Sequence, residues 1–107
     1  MIEHLEKVIE ERLEDNKLTN REIAALLKMS ERNFTRRVKE LTGISANRYI
    51  RSYRLKRAMH FIEEGRYVTV NEISNAVGFS SSSYFSHKFE EYFNKKPLQV
   101  LKDKGWR

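Results

Sequence analysis

The chain has 107 residues and no cysteine, which makes it one domain's worth of protein, excludes disulfides and thiolate metal sites, and fits a reducing compartment such as the cytoplasm. No apolar run approaches the ~20 residues that span a bilayer, and residues 1–16 are acidic and amphipathic, unlike a signal peptide. One proline and four glycines argue against a β-rich fold, and a net charge of +6 argues for an anionic partner.

The first predicted helix runs from about Ile2 to Asn16, with Ile2, Leu5, Ile9 and Leu13 on one stripe and glutamates opposite. Thr19-Asn20-Arg21-Glu22 is a capping box, in which the threonine oxygen takes a backbone N–H three residues on and the glutamate reaches back to the threonine N–H. It starts a second helix that ends near Lys28. Ser30 caps a third helix, which stops at Gly43, a left-handed position after its last turn. Phe34, Val38 and Leu41 form the inward stripe of that helix, leaving Arg32, Thr35, Arg36 and Lys39 outside. The fourth and longest helix spans about Ala46 to Glu64, capped by Ser45 and closed by Gly65. Its apolar residues Tyr49, Ile50, Tyr53, Leu55, Ala58, Phe61 and Ile62 wrap more than one side, as in a helix contacted from two directions.

Thr69-Val70-Asn71-Glu72 repeats the capping box fifty positions after Thr19 and starts a fifth helix ending at Gly78. A sixth begins in the serine run Ser80–Ser83 and ends at Asn94, a residue that tolerates the left-handed conformation. Phe85, Phe89 and Phe93 form its inward stripe. Pro97 suits the first position of a last helix through about Asp103. The two boxes are followed by matching residues: Ile23, Leu26, Leu27 and Met29 stand against Ile73, Ala76, Val77 and Phe79. After one residue of slippage, Phe34, Val38 and Gly43 stand against Phe85, Phe89 and Asn94. This is an internal duplication of a short helix, a turn and a second helix, the helix-turn-helix pattern. The expected fold is all-α, seven helices, with units at 17–45 and 69–104 joined by a long helix at 46–65.

Charge follows this division. Residues 1–16 carry two basic and six acidic side chains, residues 17–67 thirteen and five, and residues 68–107 six and four. Arginine, whose planar fork suits phosphate and guanine edges, supplies most of the central excess. No helix pairs a basic face with an exposed aromatic face, so nucleic acid is preferred to an anionic membrane. RNA binding would want exposed aromatics for stacking, and only Tyr67 and Trp106 fall in a loop or tail. A protein-interaction module using the acidic first helix is the other alternative. Catalysis finds no support: His4, His60 and His87 lie on separate helices without ligand-spaced carboxylates, and Ser83 with His87 lacks an orienting acid or an oxyanion-hole motif. No metal or cofactor is expected.

A helix fits the major groove of DNA and meets base edges with its exposed side chains. Arg32, Thr35 and Arg36 are the candidate base contacts of the third helix, and Ser82, Ser83, Tyr84 and His87 those of the sixth. Arg36 with Glu40 could instead form a surface ion-pair ladder. Serine hydroxyls both donate and accept, so the sixth helix is expected to read less sequence. Ser30, Arg48, Arg51 and Lys56 are candidate phosphate contacts.

These residues resemble the DNA-binding domain of the AraC/XylS family of bacterial transcription regulators, over about residues 4–103. "ISNAVGFSSSSYFSHKFEEYFNKKP" resembles the family signature, "MSERNFTRRVKELTG" fits the first unit, and "YIRSYRLKRA" matches the linker-helix pattern. Asn94 stands where the family usually has glycine, Ala46 where proline is common, His87 in place of a frequent arginine, and Val100-Leu101 in place of Tyr-Arg. The resemblance implies two recognition helices in successive major-groove segments of promoter DNA; the glutamate-rich face of the first helix is expected to point away from it. RNA polymerase is an expected partner. It also implies an accompanying sensor or dimerisation domain. The stretch "LTGISANRYIRSYRLKRA" looks especially like the output end of hybrid two-component regulators. An output domain excised from a larger regulator is therefore expected, with a stand-alone regulator as the alternative.

Overall fold

The structure, a computed structural model, describes residues 1–105. Its helices, in chain order, are α1 (Ile2–Glu11), α2 (Asn20–Leu26), α3 (Glu31–Thr42), α4 (Ala46–Glu64), α5 (Val70–Ala76), α6 (Ser82–Phe93) and α7 (Pro97–Asp103). There is no strand among the described residues.

Local chemistry sets the helix ends as the sequence predicts. Thr19 Oγ1 accepts the Glu22 N–H at 3.1 Å and the Glu22 carboxylate accepts the Thr19 N–H at 3.0 Å. Thr69 and Glu72 repeat this at 3.1 and 3.2 Å. Ser30 and Ser45 cap α3 and α4 through the Asn33 and Arg48 N–H groups. Within the serine run it is Ser81 that caps α6, by accepting the Tyr84 N–H at 3.2 Å, so the helix starts at Ser82. Gly43 and Asn94 close α3 and α6 in the left-handed region, at φ 80° and 60°.

The two units share one continuous core that runs along α4. Phe34 and Val38 of α3, Phe85 and Phe89 of α6, and Ala58 and Ile62 of α4 are all fully enclosed. Each large side chain so buried contributes roughly 1.5–3 kcal/mol. Phe79, Phe85, Phe89 and Phe93 form a ladder with ring centroids 5.2, 5.7 and 4.6 Å apart in succession. Phe93, at its end, is only half-buried. The result is an elongated body of 44 × 23 × 22 Å.

Two expectations need correction. Helix α1 ends at Glu11, short of Asn16. From Arg12 on the ladder tightens to bonds three residues back, Leu13 N–H to the Glu10 carbonyl at 3.4 Å and Asp15 N–H to the Arg12 carbonyl at 3.0 Å, and the Leu13 carbonyl there accepts from the buried guanidinium of Arg54 at 2.7 Å. Leu41 is not on the inward stripe of α3; it is 52% exposed. In the last turn Thr42 turns inward instead and donates its hydroxyl to the Val38 carbonyl at 2.7 Å.

Arg54 fastens the halves to each other. Besides Leu13, it donates to the Val77 carbonyl at 2.7 Å and to the Asp15 carbonyl at 3.2 Å. Burial pulls its pKa below the ordinary value, and the charge of Asp15 opposes that shift. A guanidinium nevertheless stays charged at any ordinary pH. Its approach explains Gly78: a Cβ there would lie 1.4 Å from Arg54 Nη1 and 2.4 Å from the Leu13 oxygen.

Substituting Arg54 by Met removes the donors from two buried carbonyls, and unfolding in urea is expected to lose about 3 kcal/mol. A loss below about 1 kcal/mol would show that the clamp is dispensable. Ser74, in register with the enclosed Ala24, is itself buried, and its hydroxyl has no hydrogen-bond partner among the described residues. Ser74→Ala is therefore expected to raise stability by about 1 kcal/mol in the same assay.

Candidate nucleic-acid interface

Capping fixes where each reading helix begins, and the core stripe fixes which face it leaves outside. Helix α3 puts Phe34 and Val38 inside, so Arg32, Asn33, Arg36, Arg37 and Lys39 are exposed. The side chain of Arg32 has no partner among the described residues. Thr35 is half-buried and donates its hydroxyl back to the Arg32 carbonyl at 3.1 Å. The Arg36 guanidinium lies along the helix between Glu40, at 3.3 Å, and Asn33, at 3.4 Å. The ion-pair ladder weighed for Arg36 thus exists in the free protein, on an exposed face. Ser30 uses its side chain as the cap and remains exposed.

Helix α6 leaves two faces outside. Ser83 and His87 are exposed on one, and His87 pairs with Glu91 at 3.0 Å; Ser82 is half-buried. Tyr84 is 48% exposed on the other, with its hydroxyl 3.5 Å from Arg51 Nη1 and its ring 5.6 Å from Lys88 Nζ. That contact ties the second reading helix to the linker helix.

Arg48, Arg51 and Lys56 come together with Lys88 along an open cleft of about 610 Å³ between the units. Its floor is Ile44, Tyr49 and Leu55, and Glu91 stands at its rim beside Lys88, at 3.2 Å. Hydrogen bonding to Lys88 holds the Glu91 carboxyl below its usual range, and the charges of His87 and Arg51 add to the effect. Lys88 was missed from sequence. The signal was its place one turn after Tyr84 on the face turned to α4.

The adjoining face of α4, turned to α1, pairs phenols and a guanidinium with carboxylates. Tyr49 donates to Glu6, Tyr53 to Glu10 at 2.6 Å, and Arg57 grips Glu10 at 2.9 Å. Burial and then the carboxylate bond raise both phenol pKa values. Two glutamates of the acidic first helix are thus bonded to α4, Glu6 half-buried and Glu10 still exposed. Tyr67 is also engaged, edge-on to Phe61 at 5.5 Å. Trp106 lies outside the described residues. His60 pairs with Glu64 at 3.2 Å. Among the described residues no helix is long and apolar enough to cross a membrane, and no cluster of three or more metal-ligating side chains is present.

The family described as "Helix-turn-helix domain" matches residues 23–103, most of the chain. A second, "Winged helix-turn-helix DNA-binding", matches residues 3–42, although no strand among the described residues could form a wing. The Msm operon regulatory protein of Streptococcus mutans is 35% identical over 82 residues, which are 77% of this chain and 29% of that protein. Histidine kinase P4 of Formosa agariphila is 30% identical over 93 residues, 87% of this chain but 7% of the kinase. The chain thus spans less than a third of these relatives. A transcriptional regulator with an AraC-type DNA-binding domain from Chromobacterium violaceum superposes with a TM-score of 0.84 at 25% identity, covering 95% of this chain and 89% of that one. With two helix-turn-helix units on one linker helix, and most of its length matched, the chain belongs to the AraC-type helix-turn-helix DNA-binding domains, a family of transcription regulators and not of enzymes.

Proposed function

We propose that this chain is the DNA-reading part of a longer regulator that binds specific promoter sequences in the cytoplasm and sets transcription initiation through RNA polymerase. The sensor or dimerisation function would lie elsewhere in that protein. Its likeness to 93 residues of a far longer histidine kinase suits an output domain of a hybrid two-component regulator.

One observation carries the reading: two units with the same caps and the same core stripe each present a polar helix face, and one rod joins them. Nineteen residues of α4 span about 28 Å and the body is 44 Å long, against about 34 Å for one turn of duplex. That scale suits α3 and α6 in successive major-groove segments. Arg32, Thr35 and Arg36 would read bases from α3, and Ser82, Ser83, Tyr84 and His87 from α6. The hydroxyls and imidazole of α6 discriminate less than paired guanidinium donors, so α3 carries more of the specificity. Ser30 at its helix start, and Arg48, Arg51 and Lys56 in the cleft, would hold phosphates.

With several phosphates neutralised, the logarithm of affinity for a selected site is expected to fall against the logarithm of salt with a slope of about −0.9 per phosphate. A flat profile, or no retardation of promoter fragments at low salt, would favour a protein-interaction module instead. Arg36→Ala should cost about 1–3 kcal/mol and relax preference at one base pair, whereas Arg51→Ala should weaken binding evenly across sequences. Equal losses on every sequence for both variants would remove Arg36 from base readout.

A further inference from the structure

The two reading helices share a feature that the DNA reading does not use. At the 51-residue register that matches Phe34 with Phe85, Arg36 corresponds to His87 and Glu40 to Glu91. Arg36 is paired with the carboxylate four residues on at 3.3 Å, and His87, an imidazole charged only when protonated, lies 3.0 Å from the corresponding one. Both pairs are exposed, and neither supports the core. Arg36 is laid along its helix by Glu40 and Asn33 and does not project outward. Glu91 also takes Lys88, at 3.2 Å, beside the cations of the inter-unit cleft.

We infer that Glu40 and Glu91 are internal stand-ins for DNA phosphate, which occupy the reading cations of the free protein and are displaced when either helix engages duplex DNA. This rests on the DNA reading above. A carboxylate on a helix face that enters the groove repels phosphates of any sequence, and its partner cation must be released before it can contact the duplex. The pair therefore lowers affinity for all DNA, a repulsive element that keeps the domain from being held on random sequence. Exposed pairs of this kind contribute little to folding, and Gln keeps the helix propensity of Glu, so the neutral variants remain folded.

The test measures binding of the chain to a random-sequence duplex by fluorescence anisotropy across a salt series. Glu40→Gln and Glu91→Gln are each expected to tighten binding about threefold to tenfold and to steepen the log–log salt slope by about one, as Arg36 in the first case and Lys88 in the second becomes available to phosphate. Glu64→Gln is the matched control, because His60–Glu64 has the same spacing on α4, with His60 on the side that faces α1. It should change neither quantity. Unchanged or weaker binding by the first two variants, or an equal shift with Glu64→Gln, overturns the inference and leaves the DNA reading standing. Failure of the unaltered chain to bind duplex at any salt overturns the DNA reading, and the stand-ins with it.

Discussion

One guanidinium reaches into both halves of this molecule. Arg54, in the middle of α4, donates to a carbonyl just beyond α1 and to another at the end of α5. A buried charge is unfavourable unless its donors are satisfied, so the site tolerates little movement on either side. The end of α1, the turn after α5 and the angle between the units are all subject to that single group. Apolar packing along α4 provides the bulk of the cohesion, but packing alone would allow the units to slide. The directed bonds of Arg54 fix how they sit.

The same group explains where the two copies diverge. After α2 the chain passes through the left-handed region at Lys28, φ 60°, and after α5 it does so at Gly78, φ 83°. Both turns return an N–H to the fifth carbonyl back, Met29 to Ala24 and Phe79 to Ser74, each at 2.9 Å. The backbone requirement is therefore equal in the two copies. Only the second turn also receives a guanidinium, and there no side chain fits. A lysine in the first turn accepts modest strain that nothing around it forbids.

Helix starts and stops were legible in the sequence because capping is local: the threonine boxes, Ser45 and Asn94 act within three or four residues of themselves. The phenylalanine ladder was legible by period alone. The residues at which the reading failed depend on distant partners. Arg54 counted only as part of a basic excess, since composition cannot distinguish a buried arginine from a solvated one. The turn after α1 receives Arg54, forty-one positions away from the carbonyl it holds. Glu6 and Glu10 looked like solvent-facing charge until α4 brought Tyr49, Tyr53 and Arg57 to them. In the interface, the residue types of α3 and α6 were readable, whereas the convergence of Lys88 with Arg48, Arg51 and Lys56 depends on how α6 lies against α4.

If both units read DNA as proposed, the unbroken run of α4 has a consequence for α6. A serine-rich surface with one imidazole would hold a duplex only feebly by itself. Borne on a rod with no flexible tether, it meets its DNA segment as an intramolecular event once the other unit has docked, at an effective concentration far above that of free protein. Feeble contacts then add to residence on the duplex without having to capture it. Sequence drift in the serine run is correspondingly buffered, while a change that bends or softens the rod is felt at both ends at once.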